Sequence, residues 1–103
     1  MTTDISEDEI GGTAYKPYGN NALFYIPMNG SDAGKTYRVI QAPMDAELTG
    51  PCFSDDGKTL FLSIQHPGAK TKNLKSLTSN WPEEGNSIPK PSVVAITIPD
   101  FLL

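Results

Sequence analysis

The chain has 103 residues, nine of them glycine and nine proline, with one cysteine and a formal charge of −4. That length admits a single domain able to bury roughly two thirds of the surface its unfolded form exposes. The lone Cys52 excludes an intrachain disulfide or a cysteine-rich zinc site, the acidic balance argues against nucleic acid as a partner, and no apolar run nears the ~20 residues of a membrane span.

Residues 1–12 carry Asp4, Glu7, Asp8 and Glu9 and end in Gly11-Gly12. Their own apolar area does not offset the entropy of ordering them, which predicts a disordered acidic tail and a single β domain over 13–103. With no basic start leading into an apolar run, no export signal is expected. Strands are predicted at Ala22 to Pro27 and at Lys35 to Ala42, paired through the turn-rich NGSDAG connection. Pro43 to Gly50 reads as a linker. A second hairpin follows, Pro51 to Ser54 with Thr59 to Gln65, in which Asp56 and Gly57 can take the positive φ values of a tight reversal.

From Pro67 to Pro91 the chain is a long polar loop that holds Trp81, a residue large enough to require packing, and one helical turn over Asn73 to Leu77. The trio Lys70, Lys72 and Lys75 in this loop reads as a solvated segment. The last element, Ser92 to Ile98, is almost wholly apolar and β-branched, the pattern of a strand covered on both faces. The fold class is therefore all-β: an antiparallel meander of about five strands with a long loop.

The word Phe53-Ser54-Asp55-Asp56-Gly57-Lys58 resembles a hairpin that recurs in β-propellers. The succession NNALFYIP, DAGKTYRV, MDAELTGPCFSDDGKTLFLSIQHPG, NWPEEG and PKPSVVAI resembles, from about Asn20 to Ile98, the C-terminal part of the PhoX-type alkaline phosphatases. The resemblance implies one to two blades of a β-propeller. It also implies an exported, several-fold longer parent that hydrolyses phosphate monoesters with calcium and iron. Two departures stand out: Asp55 replaces the usual Pro of the hairpin word, and Ala69 follows His-Pro-Gly where an acid is common, which removes a potential ligand.

Among the chemistry-bearing residues, His66 is the single histidine. It reads either as a hydrogen-bonded structural residue or as a ligand contact and proton donor at the end of a strand, with Gln65 beside it. Glu47 is the candidate for a pocket or metal-facing carboxylate. Cys52 has no histidine or basic cluster nearby in sequence and reads as a buried small residue. Gly30 to Thr36 imitates a phosphate loop but has three residues between its glycines where four are needed, and it leads into a strand. Glu83-Glu84 could meet calcium but lacks the alternating acid pattern of a loop site, so solvated acids are the default. Tyr15, Tyr18, Phe24, Tyr25, Tyr37 and Trp81 read as core rather than as a ligand platform.

Two blades cannot close a ring, so strand edges would be left for self-association or for the remainder of a propeller. The expected function is a structural or interaction module without activity or cofactor of its own. The alternatives are a contributor to a calcium- and iron-dependent phosphomonoesterase, with His66, Gln65 and Glu47 lining its pocket, and a calcium-stabilised adaptor.

Overall fold

The computed structural model describes residues 1–97. Five antiparallel strands run in chain order: β1 (Ala22–Tyr25), β2 (Tyr37–Gln41), β3 (Glu47–Phe53), β4 (Thr59–Gln65) and β5 (Ser92–Thr97), preceded by one 3-10 turn at Lys16–Tyr18. The expected all-β architecture is present, divided into a β1-β2 sheet and a β3-β4-β5 sheet. Ile98, the expected end of β5, lies outside the described residues.

The core forms where one face of each sheet turns inward. Leu23 from β1, Leu48 from β3 and Leu60, Leu62 and Ile64 from β4 are buried together with Ala42 and Ala46, and Ile40, Trp81, Val94 and Ile96 pack against them. The period-2 alternation of β4 explains its role, because Leu60, Leu62 and Ile64 share one face while Phe61, Ser63 and Gln65 share the other.

The region expected as a linker is partly strand. β3 starts at Glu47, and Thr49 pairs with Ser63 while Cys52 pairs with Phe61, so Gly50 and Pro51 together oppose Leu62. This is a β-bulge: Gly50 takes φ +60°, and Pro51, which has no N–H to give, is tolerated because β3 is an edge strand. Gly50 and Pro51 break the strand pattern locally, and pairing with β4 overrides them.

In the second hairpin only Gly57 takes a positive φ, at +70°. Gly57 N–H closes the turn onto Ser54 O at 2.8 Å, and Asp56 contributes through its side chain, accepting from the Ser54 hydroxyl at 2.6 Å and from Lys58 N–H at 3.0 Å. The expectation of two left-handed residues is corrected accordingly.

Residues 1–12, expected as a disordered tail, lie along β1 instead. Phe24 N–H donates to Met1 O at 2.8 Å and Thr3 N–H to Ala22 O at 3.0 Å, while Ile10 is buried. The reason lies in a distant residue. The buried Asn21 amide accepts from Ile5 N–H at 2.6 Å and from the Thr3 hydroxyl at 3.1 Å, and donates to Ile5 O at 3.0 Å and Ala46 O at 3.3 Å.

The long loop is pinned rather than loose. Trp81 Nε1 donates to the Ser92 hydroxyl at 2.7 Å, Gly68 N–H to Met44 O at 2.9 Å, and Lys70 Nζ to Ile10 O at 2.9 Å, so Lys70 is not part of a merely solvated trio. Asn73 to Ser76 forms a reversal closed by Ser76 N–H on Asn73 O, and no helical turn is present there. Among the described residues β5 is covered on one face only, since Val93, Ala95 and Thr97 are exposed.

Candidate functional site

His66 follows β4 directly and sits at φ +34°, a left-handed conformation that a non-glycine residue rarely adopts. The chain turns there because Pro67 and Gly68 are both buried, with Gly68 so close to the loop that a Cβ would lie 2.8 Å from Pro89 Cγ. Strand pairing places Glu47 opposite Gln65, the neighbour of His66. The imidazole then stands between two carboxylates, with Nδ1 3.2 Å from Glu7 Oε2 and Nε2 3.5 Å from Glu47 Oε2.

This arrangement joins two of the residues singled out in the sequence, His66 and Glu47, and adds Glu7, which had been assigned to a tail. Gln65 is exposed beside them. A neutral imidazole carries one N–H and can donate to one carboxylate, whereas the protonated ring donates to both, so the three side chains can orient a proton at either nitrogen. Each ring nitrogen faces its own carboxylate on opposite sides of the ring, a geometry that does not converge three donors on one ion. Among the described residues no group of three or more His, Cys, Asp or Glu is placed to hold a metal, so these donors form no complete site for the calcium and iron implied by resemblance.

Asp45, two residues before Glu47, is one of the mid-chain acids expected in turns as short acceptors for the backbone. It is buried, takes φ +65°, and accepts from Lys70 N–H at 3.2 Å and from the Thr78 hydroxyl. The signal that could have marked it is Asp in a Pro-Met-Asp-Ala reversal, since Asp tolerates the left-handed region better than most residues.

The remaining candidates resolve individually. Lys35 of the phosphate-loop imitation donates to Asp32 at 2.6 Å, and Tyr37 OH to the same carboxylate at 3.0 Å. The lysine first, and the tyrosine second, hold Asp32 below the usual aspartate range. Glu83 accepts from the Ser87 hydroxyl and from Lys90 Nζ, which lower its pKa in that order, and its oxygens are thereby engaged. Cys52 is exposed, not buried. The tyrosines Tyr15, Tyr18, Tyr25 and Tyr37 are also exposed, and the first two line an open cleft of about 450 Å³ with Phe24 and Arg38. The Arg38 guanidinium carbon lies 5.6 Å from the centroid of the Phe24 ring.

No helix among the described residues is long and apolar enough to cross a membrane. No curated protein matches the chain at a significant level. The chain is similar in structure to Pseudomonas fluorescens PhoX in complex with vanadate, a transition state analogue, with 35% sequence identity and a TM-score of 0.68; the match covers 93% of this chain and 15% of that one. The profile of the family described as Alkaline phosphatase PhoX matches residues 1–68, and with more than half of its length matched, the chain belongs to the PhoX alkaline phosphatase family.

Proposed function

We propose that this chain is a structural segment of a PhoX-type phosphatase, supplying one to two blades of a β-propeller and turning over no substrate by itself. The observation that carries this reading is the asymmetry of the structural match, which takes in 93% of this chain but 15% of the phosphatase. The donor geometry supports it, because a metal-assisted phosphoryl hydrolysis needs carboxylates converging on one point. In the completed protein, His66, held between Glu7 and Glu47 with Gln65 alongside, is the group of this segment that reaches toward substrate. Calcium and iron would be held by residues elsewhere in that protein, which on the same reading is exported.

The test is hydrolysis of a chromogenic phosphate monoester by the isolated chain with calcium and iron supplied, together with elemental analysis of the purified protein. The expected result is no turnover and no bound metal. Stoichiometric metal with turnover that disappears in His66→Ala would replace this reading with that of a self-sufficient phosphomonoesterase.

A further inference from the structure

The connection between β1 and β2 is held at its flanks and open near its start. Gly34 N–H donates to Pro27 O at 2.9 Å and Ala33 N–H to Gly30 O at 3.2 Å, while Lys35 and Tyr37 both donate to the Asp32 carboxylate. The Asn29 amide and the Gly30 N–H stand outside this framework. Both residues are exposed, and among the described residues neither of these two groups has a hydrogen-bond partner. Gly30 takes φ +83°, and nothing lies within 4 Å of where a Cβ would stand, so the space beside it is open.

We infer that Asn29 is a modification site: it deamidates through attack by the Gly30 backbone nitrogen on its side-chain amide. The chemistry is that of a labile asparagine and is independent of the family reading. Gly30 N gives up its proton and bonds to Asn29 Cγ, the Cγ–Nδ2 bond breaks, and ammonia leaves with that proton, closing a succinimide ring. One water then opens the ring. Addition at Cγ leaves aspartate, whereas addition at the main-chain carbonyl carbon leaves isoaspartate, with the chain rerouted through the side chain. Either product adds one negative charge to the −4 of the chain.

The other asparagines each lack one of these conditions. Asn21 is buried with its amide engaged, Asn20 and Asn80 donate to Ala42 O and Ser87 O, and Asn73 accepts from Lys75 N–H. Asn86 is exposed, but Ser87 follows it, and a Cβ beside the attacking nitrogen restricts the backbone and crowds the approach. Asp56-Gly57 repeats the pattern with an acid and is shut. Gly57 N–H is spent on Ser54 O, and the Asp56 carboxylate is held by Ser54 and Lys58.

The test holds the intact chain at mildly alkaline pH, in buffer and unfolded in urea, and follows each asparagine by digestion and mass spectrometry. Asn29 is expected to gain about 1 Da, the difference between an amide and a carboxyl. In buffer it should convert at least about tenfold faster than Asn86 and within about tenfold of its own rate in urea, whereas folding slows Asn21 by more than about a hundredfold, as for a group reached only by opening of the structure. Fragmentation separates aspartate from isoaspartate, and both must form. Asn29→Gln, whose longer side chain closes the ring far less readily, should keep the charge of the chain unchanged over the same interval and leave its unfolding transition in place. An Asn29 rate outside either margin overturns the inference, as does aspartate without isoaspartate, which means direct hydrolysis of the amide. Equal rates at Asn21 in buffer and urea overturn it too, because the ranking then owes nothing to the fold.

Discussion

The Asp45 carboxylate accepts a hydrogen bond from the backbone N–H of Lys70, so a buried acid at the start of the second sheet fixes the first turn of the long loop. Thr78 donates its hydroxyl to the same oxygen, Oδ2. One side chain thereby ties two separate points of the loop to the residues that precede β3. Asp45→Ala removes that acceptor and places a Cβ residue without local hydrogen bonding at φ +65°, so a loss of about 2–4 kcal/mol is expected. Asp45→Asn keeps an acceptor oxygen and tolerates the backbone, and should cost less than half as much. Urea unfolding of the two variants checks the order.

Asn21 does for the N-terminal segment what Asp45 does for the loop. Its buried amide serves Thr3, Ile5 and Ala46 at once, and Asn21→Ala leaves the Ile5 N–H without that acceptor and the Ala46 carbonyl without that donor. A destabilisation of about 2–4 kcal/mol follows from unmet buried groups. Hydrogen exchange locates it: the amides of Thr3 and Ile5 should lose protection first, while those of β4 keep theirs relative to the new global stability. Uniform loss across both sheets would mean that the segment and the core open together.

Asp56 gives the hairpin a pH dependence of known sign. The Ser54 hydroxyl first, and the Lys58 backbone N–H second, bind its ionised form and hold its pKa below the ordinary aspartate value. Because the folded value lies below the unfolded one, this contribution is fully present above the ordinary aspartate range and is lost as the pH falls through the lowered value. Carboxyl ¹³C titration should give a midpoint below that of a free aspartate, and Ser54→Ala should move it upward. An unmoved midpoint in that variant would transfer the effect to the Lys58 amide.

Both hairpins, the run of β5 and the pairing partners of β4 were legible because alternation and turn chemistry are local properties. The start of β3 was not, since Gly50 and Pro51 are poor strand residues and only the β4 ladder carries them through a bulge. The contacts of Glu7 and Asp45 were missed for a related reason. Glu7 meets His66, far away in sequence, because Asn21, β1 and Lys70 together hold the N-terminal segment in place. The Pro-Met-Asp-Ala reversal marks Asp45 as a turn acid, but its burial and its contacts with Lys70 and Thr78 depend on residues 25 and 33 positions away. The outward face of β5 is the reverse case: the apolar pattern predicted a cover that the described residues do not supply.

His66 separates backbone demand from side-chain chemistry. At φ +34° it occupies a conformation that costs a β-branched residue most, so His66→Val should destabilise the chain by about 1–2 kcal/mol, whereas His66→Asn and His66→Gly should be near neutral. Glu7→Gln and Glu47→Gln each alter one partly exposed contact of a carboxylate with His66 and should cost under about 1 kcal/mol. If the valine variant alone is unstable, the fold requires the turn and not the imidazole. On the proposed reading of the chain as a segment of a phosphatase, His66→Asn in that enzyme is expected to impair turnover while leaving the melting transition in place, and unchanged turnover would remove the imidazole from its site.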